Sequence, residues 1–256
     1  MSENLLIHRE GRLVRLTLNR PEKRNALDLA LCRGLLAALQ EAAADPSVGA
    51  ILLEASGLDF CAGMDLSEVL EADPEQLLAV HRDLFTLGAR LEKPMVAQVQ
   101  GSAIAGGLGL ALNAHMIIAE TNSRFGLTET RLGLWPYVIF NAVAAALGVR
   151  KTTELALTAR IIDAEEARRI GIVDVLVDLS RLREEGHRIA QGLAQASAGA
   201  LRDGLRFVRE IERLGGSEVT EKAIEYRRRT LDSPDFREGV MAYREKRAPV
   251  WPSHRH

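Results

Sequence analysis

Cysteine is scarce in this chain: Cys32 and Cys61 are the only two among 256 residues. Neither stands at metal-ligand spacing, so no metal site is expected, and a reduced, cytoplasmic setting is. A basic excess is also missing. The net charge is −2, which removes the electrostatic reason to expect nucleic acid as a partner. Long apolar runs are missing too: Ser102 to Ala119 is the one membrane-like stretch, and Asn113, His115 and four Gly or Ser positions break it. It reads as buried core, so no membrane partner is expected. Glu3, Arg9 and Glu10 leave the N-terminus without the apolar run of a signal peptide. Ala105-Gly106-Gly107-Leu108-Gly109 lacks the acidic residue of a dinucleotide fingerprint. No redox cofactor is implied, and no solenoid period is found.

What is present is the composition of a soluble globular protein, with 47% hydrophobic and 27% charged residues. The length sits near the limit for one hydrophobic core, so a main domain with an appendage is expected. Arg12 to Leu18 alternates as a half-buried strand, and leucines 27, 31, 35 and 39 recur every four residues as an amphipathic helix ended by Asp45-Pro46. Ala50 to Leu53, Met95 to Val99 and Met116 to Ala119 read as buried strands, and Gly106 to Asn113 as a helix. Asp73-Pro74 reads as an N-cap followed by proline in the first turn, opening a helix towards Leu91. This alternation predicts an α/β architecture. Beyond Val177 the strands stop. Leu179 to Ala194, Ala198 to Leu214, Glu218 to Leu231 and Asp235 to Glu245 read as helices. The composition shift near Ser197 divides the chain into an α/β core, 1–196, and a helical region, 197–256, which should pack on the core or on another subunit.

Two segments carry the chemistry, FCAGMDL (Phe60 to Leu66) and GSAIAGGLGLAL (Gly101 to Leu112). Each has small residues where a strand would hand over to a helix, and so can leave backbone N–H groups unpaired. Two such groups aimed at one point would cradle a carbonyl oxygen that turns negative during reaction. With LTLNRPEKRNAL (Leu16 to Leu27), RFGLTETRLGLWP (Arg124 to Pro136), LTARIIDAEEARRIGIVDVLV (Leu157 to Val177) and the tail FREGVMAYREKRAPVW (Phe236 to Trp251), they follow one order over nearly the whole chain. In this the sequence resembles the enoyl-CoA hydratase/isomerase (crotonase) family. The resemblance implies a spiral of strand-strand-helix turns and a C-terminal helical region that joins subunits into a homotrimer or a hexamer. It also implies an acyl-CoA substrate, with coenzyme A part of that substrate rather than a separate cofactor.

By the same resemblance, the N–H groups of Met64 and Gly106 form the oxyanion hole. Ala62, Gly63, Asp65 and Leu66 line the thioester site, Lys23, Arg24 and Ala26 run along the CoA nucleotide, and Tyr137 stands at the pocket. Arg20, Lys246 and Arg247 are further candidates for the nucleotide. Hydratases of the family hold a water between two glutamates. The second survives as Glu129; the first position is Gly109. Leu127, Leu132, Leu134 and Trp135 flank Glu129, so an apolar setting with a raised pKa is expected. Tyr137-Val138-Ile139-Phe140 replaces a glycine-rich stretch, and this bulk should shrink the space for a nucleophilic water. His115 reads as a core histidine.

One base and an oxyanion hole suffice to move a double bond, whereas hydration needs water placed on the β carbon. The sequence leaves open 3-enoyl-CoA to 2-enoyl-CoA isomerisation and 2-enoyl-CoA hydration. A non-catalytic acyl-CoA-binding member is the alternative. An RNA-binding role is disfavoured by the net charge, and a dehalogenase by the lack of a placeable Asp–His pair.

Overall fold

The structure is a computed structural model that describes residues 3–69, 71–212 and 214–254. β1 (Leu5–Glu10) and β2 (Leu13–Leu18) form an antiparallel hairpin, and helix α1 (Leu29–Ala44) returns the chain to β3 (Ala50–Ala55), parallel to β2. A single turn, α2 (Leu66–Val69), precedes α3 (Pro74–Leu87), which leads to β4 (Met95–Val99). β5 (Ser102–Ile104), α4 (Gly106–Ala111), β6 (Met116–Glu120) and β7 (Arg124–Gly126) follow in close succession. Then come α5 (Tyr137–Thr158, kinked at Gly148), β8 (Ile161–Asp163), α6 (Ala164–Arg169) and β9 (Val175–Val177). Four helices complete the chain: α7 (Leu179–Gln195), α8 (Ala198–Ile211), α9 (Ser217–Leu231) and α10 (Pro234–Glu245).

The strands make a six-stranded sheet ordered β1-β2-β3-β4-β6-β9 and a three-stranded sheet ordered β5-β7-β8. Successive side chains of a strand point to opposite faces, and the larger sheet uses both. Leu13, Leu52, Val96 and Ile118 pack under Leu182, Ala190 and Ala194 of α7, while Leu16, Ile51, Leu53, Met95 and Ala97 face the main core with α1 and Phe85 of α3. Burial on both sides explains why β3, β4 and β6 read as continuous apolar runs; β2, expected to be half-buried from its alternation, is also covered on both faces.

Helix starts follow side-chain caps. Asp28 accepts from the Leu31 N–H at 2.6 Å, and Asp73 from the Glu75 N–H at 2.9 Å with Pro74 in the first turn. The leucine repeat therefore starts before the helix does: Leu27 stands outside α1, two residues ahead of Leu29, bridged to Met64. α3 ends at Leu87, and a 3-10 turn over Gly88–Arg90 completes the path to Leu91. His115 is not a core residue. It lies exposed at the entry to β6, where its Nδ1 accepts from the Met95 N–H at 3.0 Å.

The last helices are tied on by polar contacts. Arg206 grips Glu92 with two bonds of 2.6 Å. The buried Asp235 accepts from the hydroxyls of Ser197 and Ser253 and from the Ser253 N–H, fastening α10 to the start of α8 and to the tail.

Candidate active site

The smaller sheet brings the two glycine segments together. The Phe60 N–H donates to the Gln100 carbonyl, Cys61 N–H to Ser102, and Ile104 N–H back to Cys61. These bonds lock the segment 60–64 in register beside 100–106. On its other edge β5 pairs with β7, and the Ala105 N–H donates to the Gly126 carbonyl at 2.8 Å. Met64, Gly106 and Glu129 therefore depend on one small sheet for their relative placement.

Met64 gets its orientation from Leu27, whose N–H donates to Gly63 and whose carbonyl accepts from Asp65. Those bonds spend the groups on either side of Met64 and leave its own N–H turned to the opposite side. Gly63 has φ +96, a conformation that favours glycine. An ideal Cβ built on it would come within 3.5 Å of the Gly106 nitrogen, which shows how closely the two segments approach. Gly106 opens α4 after Ala105, whose φ of +51 and ψ of −122 make it a strained non-glycine residue. Gly107 is needed for contact: a Cβ there would lie 2.2 Å from the Cys61 carbonyl oxygen. Among the described residues neither the Met64 nor the Gly106 N–H meets a backbone acceptor. Both residues line a cavity of about 480 Å³.

Glu129 lines the same cavity, three residues beyond β7, in a short 3-10 turn over Glu129–Leu132. It is buried, and its Oε2 has no hydrogen-bond partner among the described residues. Burial pushes its carboxyl above its ordinary pKa, with only a bond from its own backbone acting the other way. The raised pKa expected from its apolar neighbours is found, and Leu132, Leu134 and Trp135 supply part of the wall.

Gly109 lies one helical turn beyond Gly106, and its missing side chain is not an empty space. A Cβ there would fall 2.3 Å from Cγ2 and 2.6 Å from Cβ of Ile139. The bulk expected at 137–140 thus presses on the very position where hydratases of the resembled family carry their first glutamate.

Ala62, Leu66 and Tyr137 also line the cavity, Tyr137 at its rim with 75% of its surface exposed. Gly63 and Asp65 stand behind the lining. The Asp65 carboxylate is occupied by Arg20 at 3.0 Å and by the N–H and hydroxyl of Ser67. These bonds outweigh its burial and lower its pKa. Lys23, Arg24 and Ala26 lie off the cavity, on a loop whose Arg24 carbonyl accepts from the Ala62 N–H. Arg20 is part-buried between Asp28 and Asp65 and donates to the Ala26 carbonyl, so it braces the loop and is not a free cation. Asn25, fully buried, links the Arg20 N–H to the carbonyls of Ser56 and Asp59. Arg24 pairs with Asp59 at 2.9 Å, whereas no ion pair engages Lys23 among the described residues.

Several residues of the cavity carry no local signal in the sequence. Leu77, Leu78, His81 and Phe85 come from α3, and Ile139 from α5. The spacing of His81, Leu84 and Phe85 marks the buried face of α3, but a periodic pattern does not say what that face covers. Cys61 is buried close by; burial pushes its thiol up to about 12, which removes it as a nucleophile near neutral pH. Among the described residues no group of three or more His, Cys, Asp or Glu could hold a metal ion, and no helix is long and apolar enough to cross a membrane.

Residues 8–254 match the enoyl-CoA hydratase/isomerase family. The chain is 31% identical over 253 residues to the 2,3-dehydroadipyl-CoA hydratase of Escherichia coli, covering 97% of this chain and 98% of that one. It is 30% identical over 257 residues to the trans-2-decenoyl-acyl-carrier-protein isomerase of Streptococcus mutans, covering 96% and 97%. The fold superposes on the crystal structure of an enoyl-CoA hydratase of Mycobacterium smegmatis with a TM-score of 0.90 at 30% identity, over 98% and 99% of the two chains. The α/β body with its helical C-terminal region is the crotonase fold.

Proposed function

This chain belongs to the enoyl-CoA hydratase/isomerase family, and we propose that it moves a double bond, converting a 3-enoyl-CoA into the 2-enoyl-CoA. The observation that carries this choice is the contact between Ile139 and Gly109: the place of a second water-holding carboxylate is taken by a hydrocarbon side chain. Among the described lining residues one carboxyl remains, Glu129, buried and with its Oε2 unpartnered.

In this reading the thioester carbonyl accepts from the Met64 and Gly106 N–H groups. Glu129 takes the proton from C2, and the charge spreads over the dienolate onto the carbonyl oxygen. The two donors stabilise that charge, and removing one such donor typically costs ~3–4 kcal/mol of barrier. Glu129 then returns its proton to C4, leaving the double bond conjugated with the thioester. Atoms and charge balance with no water consumed. The raised pKa suits a group that must both take and give a proton. The apolar side chains of Leu132, Leu134 and Ile139 on this wall offer no polar atom to hold a competing water at C3.

Lys23, exposed and unpaired among the described residues, and the remaining donors of Arg24 are assigned to the CoA phosphates. Asp65 and Gly63 hold the turn that aims Met64. We assign residues 197–256 to subunit assembly, into a trimer or a pair of trimers, on the support of the exposed apolar side chains of Phe236, Val240, Met241 and Tyr243.

The test is a paired assay on a 3-enoyl-CoA and a 2-enoyl-CoA, with Glu129→Gln alongside. Conjugated thioester should form rapidly from the first, and 3-hydroxyacyl-CoA slowly or not at all from the second. Hydration as fast as isomerisation, or activity undiminished in Glu129→Gln, overturns the assignment. Failure of any acyl-CoA to exchange its α protons with deuterated water would leave a binding protein instead.

A further inference from the structure

Glu129 shares the wall of this cavity with a second orphan polar group. His81, on α3, is 9% exposed, and its Nε2 has no hydrogen-bond partner among the described residues. Its neighbour one turn on is Phe85, whose ring it meets edge to face at 5.5 Å. Phe85 in turn abuts the oxyanion position: its Cζ lies 3.5 Å from an ideal Cβ on Gly106. One turn of helix advances about 5.4 Å. His81 is therefore set back along α3 from the residue that abuts Gly106, on the same cavity wall. The rest of that wall is hydrocarbon, from Val69, Leu77 and Leu78. Buried polar atoms are nearly always paired, and an exception in a binding cavity calls for a partner in the ligand.

We propose that His81 is a specificity-determining residue that hydrogen-bonds an uncharged oxygen, a hydroxyl or oxo group, on the distal part of the acyl chain. The physiological substrate is then an oxygenated acyl-CoA and not a plain hydrocarbon one. Burial lowers the imidazole pKa, so His81 is neutral near pH 7. A neutral imidazole offers one donor and one acceptor, which matches a hydroxyl in either tautomer and does not call for a carboxylate.

The proposal rests on the acyl-CoA site described above, but its test does not need turnover. Binding of hexanoyl-CoA and of 6-hydroxyhexanoyl-CoA, both saturated and unreactive, is measured by calorimetry on the wild-type protein, His81→Leu and His81→Gln. The wild type should bind the hydroxylated thioester about tenfold more tightly, the range of one well-placed hydrogen bond. His81→Leu should abolish or invert that ratio, and His81→Gln should keep part of it. Equal affinities in the wild type, or a preference that survives in His81→Leu, overturns the proposal. A stronger preference for the 5-carboxypentanoyl thioester than for the hydroxylated one overturns it in favour of an anion site. Preserved discrimination without any double-bond movement would sink the isomerase assignment and leave this inference standing.

Discussion

Ile139 occupies the volume that any side chain on Gly109 would need, its Cγ2 lying 2.3 Å from where a Cβ would sit. Two residues far apart in sequence thus decide together whether the cavity can hold a second carboxylate. Gly109→Glu alone should overpack the core and destabilise the protein by about 1–3 kcal/mol or more. Gly109→Glu with Ile139→Ala should recover much of that loss and gain hydration. Thermal melts and detection of 3-hydroxyacyl-CoA check both halves. A double variant as unstable as the single one would show that the contact is not the obstacle.

Glu129→Gln should lower isomerisation by about 10²–10⁴-fold. It should also stabilise the fold, with a defined pH dependence. Burial raises the folded-state pKa of Glu129, so the folded protein holds this proton more tightly than the unfolded chain does. The cost of ionising it is absent below the unfolded pKa and complete above the folded one. The variant's advantage should therefore be largest at pH 8 and vanish towards pH 4. Each kcal/mol relieved would appear as a rise of ~2–4 °C in Tm.

Arg20 and Lys23 should separate cleanly although both belong to one basic loop. Arg20→Ala breaks a part-buried pairing with Asp28 and Asp65 and should cost about 3 kcal/mol of stability. Arg20→Lys should not restore it, because a point charge cannot span both carboxylates and the Ala26 carbonyl. Lys23→Ala should leave the melting temperature within a degree or so, as surface changes usually do, yet raise KM for acyl-CoA in a salt-dependent manner.

Asp235 anchors the tail through Ser197 and Ser253. Burial acts to raise its pKa, but these bonds outweigh it and the net shift is downward. Its stabilisation is therefore present above the unfolded pKa and lost as acid protonates the folded form. Asp235→Asn should cost about 1–3 kcal/mol at neutral pH, and the difference from wild type should shrink below pH 4. Denaturant titrations at several pH values measure it.

Most of the larger elements can be read from the chain because their signals are periodic, but the longest helix, α5 (22 residues), is not among them. α1, α3 and α7 to α10 begin and end within a few residues of the predicted bounds, β2 lies where the alternation places it, and β3, β4 and β6 lie where the apolar runs do. The missed strands have physical reasons. β5, β7 and β8 are three residues each, too short to show a period, and β1 leaves Leu6 and Ile7 exposed at a sheet edge. Yet β5 and β7 are the strands that gather Met64, Gly106 and Glu129. Arg20 shows a related limit: its place in a basic turn makes it a nucleotide candidate, and only the fold reveals that Asp65, brought across by the Leu27–Met64 bridge, pairs with it.

The order of amino acids by itself determined the family, the α/β layering, the loss of one glutamate at Gly109 and the apolar setting of Glu129, because these follow from local pattern and residue identity. Tertiary structure alone decided that Ile139 fills the vacated position, that Asp65 serves Arg20, and that His81 joins the wall opposite no partner. Those are contacts between segments remote along the chain, and local periodicity carries no information about which faces will meet.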